Sequence, residues 1–142
     1  MAKSVRDTMT AKPRSIEASR PVVEAARLLR DENVGSLPVT EEGQLVGMIT
    51  DRDIVVRIVA EGSSPESATV RAAFSGEPVT VEPDHDLDDA LQLMARHQVR
   101  RLPVVEDNRL VGILAQADIA LAEKEKKTGE VVEAISEPSE TQ

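Results

Sequence analysis

The chain has 142 residues, a net charge of −9 and 40% hydrophobic residues, yet one aromatic, Phe74, and no cysteine. Its length buries enough surface to fold without a covalent staple, and the missing cysteines exclude disulfides, thiolate metal sites and a thiol nucleophile. The acidity argues against a nucleic-acid or anionic-membrane surface, and the lack of Tyr and Trp removes the stacking platforms of single-strand binders.

No apolar run approaches the ~20 residues of a membrane span, and the N-terminus lacks an apolar signal stretch, so a soluble cytoplasmic protein is expected. His85 and His97 stand twelve apart, which is no metal-ligand spacing, and no metal is expected.

In chain order, an extended piece is predicted at Arg14–Glu17, followed by a helix with Val22, Ala25, Ala26 and Leu29 on one face. Ser19 stands where an N-cap is expected, and Pro21 suits a first turn. A β-run follows at Ser36–Thr40, a turn at Glu41–Gly43, a second β-run at Gln44–Thr50 and a helix at Asp51–Ala60. Residues 61–69 (EGSSPESAT) read as a turn-rich connector. The order then repeats: an extended piece at Val79–Glu82, Asp84 at a cap position, and a helix with Leu87, Ala90, Leu91 and Met94 inward. Arg101–Val105 is a β-run, Glu106–Asn108 a turn, Arg109–Ala115 a β-run and Gln116–Lys126 a helix. Gly43 and Asn108 supply the positive φ that hairpin turns need. Residues 128–142, rich in Glu, Ser, Thr and Pro, are expected to be disordered.

The recurrence is exact in register. Shifted by 65, Val5–Ile54 lies on Val70–Ile119 without a gap and with 16 identities in 50 positions. LPVTEEGQLVGMITDRDI falls on LPVVEDNRLVGILAQADI, and with Pro13 on Pro78 upstream, two Pro, one Gly and one Asp keep step, which helical periodicity alone does not produce. Each β-α-β-β-α unit is too small to be stable alone. The expected fold is α/β (α+β), two such repeats packed in pseudo-twofold fashion. Its expected divisions are repeat 1 over 1–61, a connector over 62–69, repeat 2 over 70–127 and the acidic tail over 128–142.

The pattern LPV and LVG in both copies, with G-h-h-T-x-x-D complete in the first and its Asp kept in the second, resembles the CBS domain, and the tandem resembles a CBS pair, or Bateman module. TDRDIV (50–55) and HQVRRLPV (97–104) further resemble small stand-alone bacterial CBS-pair proteins, the mycobacterial hypoxic-response group among them. The resemblance covers about residues 5–126. It implies a sheet-centred disc, a homodimer and a cleft for adenosine compounds: AMP, ADP, ATP, and in some members NAD(H) or S-adenosylmethionine.

By that resemblance the first site comprises Thr50 and Asp53 from repeat 1 and Val79, Val81, Val99, Arg100 and Arg101 from repeat 2. Asp53 would accept from both ribose hydroxyls and Thr50 would bind a phosphate oxygen, beside the N–H groups of a helix start. Side chains alternate along a strand, so one of Arg100 and Arg101 should face the cleft squarely. A second, weaker site would pair Asp118 with Ser15, Ile16, Val34 and Ser36. There Ala115 replaces the Thr and Gly35-Ser36 replaces Arg100-Arg101.

Plainer readings stand beside these. Thr50-x-x-Asp53 also fits a capping box, with Asp in place of Glu. Arg100, Arg101, Arg96 and His97 also suit a solvated helix end, and His85 an exposed turn. No G-x-S-x-G, P-loop, H-E-x-x-H or Rossmann glycine pattern occurs, so no catalysis is expected. The leading expectation is a regulatory module sensing an adenine nucleotide in an energy or stress response, without a catalytic cofactor and with an unknown protein target open. The alternative is a ligand-independent dimeric scaffold with a vestigial site.

Overall fold

The computed structural model describes residues 3–74 and 77–124; the tail expected to be disordered lies outside them. Its elements are α1 (Val5–Thr8), β1 (Thr10–Ala11), β2 (Ile16–Glu17), α2 (Val22–Glu32), β3 (Ser36–Glu41), β4 (Gln44–Thr50), α3 (Asp51–Ile54), α4 (Leu87–His97), β5 (Arg101–Glu106) and β6 (Arg109–Ala115). A last helix, α5, starts at 116 and is described to 124.

Both hairpins close through two residues at positive φ, Glu42 (53°) with Gly43 (82°) and Asp107 (52°) with Asn108 (63°). That pairing gives the twist a tight two-residue hairpin requires. β2 runs parallel to β3, aligning Ile16 with Val39, and a single parallel bridge from Val81 to Val104 takes its place in the second half. The strands join in the order β1-β6-β4-β3-β2, with β5 on β6, and the halves meet where Gln44 pairs with Arg109. The fold is thus a mixed α/β arrangement of two like halves. Helices α2 and α4 both end in a left-handed residue, Asn33 (φ 55°) and Gln98 (φ 54°), again 65 apart.

The segment that opens each sequence repeat packs in the core of the other. One core gathers Ile16, Val22, Ala25, Leu29, Leu37, Val39, Ile49, Ile54 and Ile58 with Val70 and Ala73. The second gathers Val81, Ala90, Met94, Leu102, Val104, Leu114 and Ile119 with Val5. This exchange corrects the expected N-caps. Helix α2 starts at Val22 after Pro21, and α4 at Leu87 after Asp86, neither with a side-chain cap. Carbonyls of the crossing segments take the first amides instead. Val22 and Val23 donate to Ala68 (2.9 Å) and Pro65 (2.8 Å), and Leu87 donates to Lys3 (3.0 Å). The donors are satisfied from a distant part of the chain, so Ser19 and Asp84 are not needed.

The helix expected over 51–60 is α-helical only to Ile54 and widens into a π-helix over Val55–Val59. Its amide-to-carbonyl step lengthens there, Ala60 donating to Val55 (2.8 Å). Val55, Val56 and Val59 are left exposed.

Candidate functional site

Along β4, burial alternates: Leu45, Gly47 and Ile49 point into the core, while Val46, Met48 and Thr50 stand on the opposite face. Thr50 then ends the strand and starts α3. The Asp53 amide donates to Thr50 Oγ1 (3.0 Å), and the Thr50 amide donates to Asp53 Oδ2 (2.9 Å). This is the complete reciprocal capping box. Asp53 Oδ1 faces Arg57 Nε at 3.6 Å, and the Asp53 side chain keeps 22% of its exposure. Both residues of the motif are therefore engaged with α3, with one carboxylate oxygen turned away from the cap.

Beside β5 lies a cleft of about 180 Å³, lined by Met48 of the first half and by Glu77, Pro78, Val79, Val99, Arg101 and Pro103. Of the residues assigned to the first site from sequence, the structure brings Val79, Val99 and Arg101 together here. Alternation on β5 places Arg101 and Pro103 on the cleft face, and Leu102 and Val104 in the core. Arg100 is exposed, and its carbonyl accepts from the Gln116 amide (2.8 Å). Val81 is 1% exposed, with its side chain in the second core. Thr50 and Asp53 do not line this cleft.

Arg101 reaches furthest. Its Nη1 donates to the Ser36 carbonyl on the first half. Burial lowers its pKa below the usual arginine value, and the Asp118 carboxylate opposes that shift. A guanidinium stays charged through such a change.

The residues assigned to the second site are divided. Ile16 lies in the first core, and the half-buried Val34 packs against it. Ser15 is half-buried. Ser36 gives its carbonyl to Arg101. Asp118 borders a different cavity, of about 230 Å³, with Lys3, Asp7, Thr8, Thr10, Leu121 and Ala122.

Met48, Glu77, Pro78 and Pro103 line the first cleft without having been singled out from sequence. For Met48 a signal existed: it stands two residues before Thr50 on the same strand face. For Pro103 the same alternation from Arg101 was available. His85 pairs with Glu82 on an exposed turn, its Nδ1 accepting from the Glu82 amide (3.2 Å). Among the described residues, no group of three or more His, Cys, Asp or Glu side chains stands close enough to hold a metal ion. No helix among them is long and apolar enough to cross a membrane.

Two like halves, an LVG glycine under each hairpin and a T-x-x-D helix start define a tandem CBS pair. The CBS-domain family model matches residues 5–60 and 70–125, and the chain belongs to that family. It is 47% identical over 118 residues to the CBS domain-containing protein YhcV of Bacillus subtilis, covering 83% of this chain and 84% of that protein. It is 35% identical over 136 residues to Hypoxic response protein 1 of Mycobacterium tuberculosis, covering 95% of each. The crystal structure of Hypoxic Response Protein I, described with two coordinated zinc ions, superposes at a TM-score of 0.76 and 36% identity, over 84% of this chain and 98% of that one. CBSX2 in complex with AMP superposes at 0.77 and 29% identity, over 87% and 98%. The CBS pair of MJ0100 with 5′-methylthioadenosine and S-adenosyl-L-methionine superposes at 0.72 and 29%, over 89% and 99%.

Proposed function

We propose that this CBS pair is a regulatory module without catalysis that binds an adenine nucleotide of the AMP, ADP or ATP class between its halves. One observation carries the reading: the cleft from Met48 to Pro103 combines aliphatic walls with a single half-buried guanidinium, Arg101. Flat apolar walls suit a purine, and a fixed guanidinium suits a phosphate. The AMP bound to CBSX2 and the adenosyl compounds bound to MJ0100 support the ligand class. At about 180 Å³ the cleft is smaller than the ~300–1,000 Å³ of a typical ligand pocket. The sugar and phosphates then lie outside it, and Asp53 serves the ribose hydroxyls only if its Oδ1 turns from Arg57 Nε, 3.6 Å away.

The same reading includes a homodimer. Val55 (57% exposed), Val59 (61%) and Leu121 (56%) are large apolar side chains facing solvent on the two helices that follow the hairpins. Val56, also exposed, and Leu121 are equivalent positions of the repeat. Paired apolar faces of this kind suit a symmetric contact.

Calorimetric titration with AMP, ADP and ATP tests the ligand, and sedimentation of the full chain tests the dimer. Asp53→Ala is expected to weaken AMP binding about tenfold, through loss of charge-assisted bonds. Unchanged affinity removes Asp53 from the site. A second reading, a dimeric scaffold that needs no ligand, is favoured by the way Thr50 and Asp53 satisfy each other. Absence of binding by all three nucleotides would decide for it.

A further inference from the structure

Positions 36 and 101 are equivalent in the 65-residue repeat, and the Arg101 side chain donates to the backbone carbonyl of Ser36. A residue that touches its own equivalent marks the place where the pseudo-twofold axis passes. True symmetry would put two serines or two arginines there. Two facing guanidiniums would repel; one guanidinium opposite a serine finds an acceptor. The module is thus asymmetric at its axis, with one cation beside both halves.

That cation lies on the rim of the Met48–Pro103 cleft, while one of its N–H groups is held by a neutral carbonyl. A phosphate or carboxylate can take two parallel N–H bonds from a guanidinium and neutralise its charge, which a single carbonyl oxygen cannot. The cleft also carries one carboxylate, Glu77, so Arg101 is what keeps it from being net negative. We propose that Arg101 is a single cation shared by the two halves. An anionic group entering the cleft takes the guanidinium from the Ser36 carbonyl, so the pair accepts one anionic ligand per chain and its arrival is felt at the start of β3. The cavity on the other side, bordered by Asp118 and Asp7, has Lys3 as its one basic lining residue and no guanidinium, and so offers a second anion a poorer seat. This rests on the reading of the cleft as a ligand site.

The test follows the Ser36 carbonyl carbon by NMR in the full-length, isotope-labelled chain, with AMP, adenosine and pyrophosphate added separately. AMP and pyrophosphate should move the Ser36 carbonyl shift toward its value in Arg101→Gln, and adenosine should not. Calorimetry should give one AMP per chain. Arg101→Gln should weaken AMP tenfold or more and adenosine less than twofold, and Arg101→Lys, which keeps the charge, should retain most of the AMP affinity and serves if the Gln variant does not fold. AMP binding that leaves the Ser36 carbonyl unmoved, or two AMP of equal affinity per chain, overturns the shared cation while leaving the ligand class intact. If pyrophosphate moves the carbonyl and AMP does not bind, the shared cation stands and the nucleotide reading falls. If neither binds, both fall.

Discussion

Gly47 and Gly112 set how closely the crossing segments approach the hairpins. A Cβ on Gly47 would overlap the Phe74 ring, and one on Gly112 would meet the Met9 thioether and come within 3.1 Å of the Thr10 carbonyl. Met9 and Phe74 are themselves 65 apart, so each LVG glycine receives the opening segment of the other repeat. Gly47→Ala is therefore expected to cost about 1–3 kcal/mol in denaturant melts, the range for overpacking a well-filled site. In a Phe74→Leu background the penalty should shrink, giving a coupling of ~1 kcal/mol in the double-mutant cycle. Gly112→Ala should cost less, because an unbranched thioether swings aside more readily than a ring. Additive effects at 47 and 74 would show that the ring does not dictate the glycine.

At the scale of elements, the two helix starts after the hairpins are a natural experiment. Thr50 and Asp53 make a full capping box on α3; α5 begins after Ala115, which has no hydroxyl to offer, although Asp118 stands where Asp53 does. Thr50→Ala should destabilise by about 1 kcal/mol, and Ala115→Thr should recover up to about 1 kcal/mol at the equivalent helix, each read from chemical melts. A neutral Ala115→Thr would mean that this helix start, where the Gln116 amide already donates to the Arg100 carbonyl (2.8 Å), gains nothing from a side-chain cap. Elements of this local kind were legible in the sequence. Turn residues with positive φ, strand alternation and helix periodicity act over a few neighbours, and the hairpins, the apolar faces of α2 and α4 and the Thr50–Asp53 cap all follow from them. What was not legible depends on partners far along the chain. Ser19 and Asp84 satisfy every local rule for an N-cap, yet the carbonyls of Ala68 and Lys3 arrive first. Within the candidate site, alternation was enough to expect that one of Arg100 and Arg101 faces the cleft, but not to say which. It could not show that the Arg101 guanidinium crosses to Ser36, because that contact exists only once the halves meet.

At the scale of the whole molecule, the exchange of opening segments makes the halves unequal. The first core is built from one continuous stretch, Ile16 to Ala73. The second needs Val5, brought to residues 81–119 from the far end of the chain. Val5 is fully buried, its amide donates to the His85 carbonyl (2.8 Å), the Arg6 amide donates to Pro83 (2.9 Å), and β1 pairs with β6. Closing that long loop costs chain entropy that the first half does not meet. Burial of Val5 contributes ~1.5–3 kcal/mol to the second half alone. Deleting residues 1–11 should therefore strip hydrogen-exchange protection from α4, β5 and β6 while α2, β3 and β4 keep most of theirs. The converse change, Val70→Ala, should loosen the first half instead, because the buried Val70 belongs to that core. A uniform loss of protection in both variants would mean that the halves unfold as one unit. In that case the contact across the axis, Arg101 to Ser36 included, would couple them more strongly than their separate cores divide them.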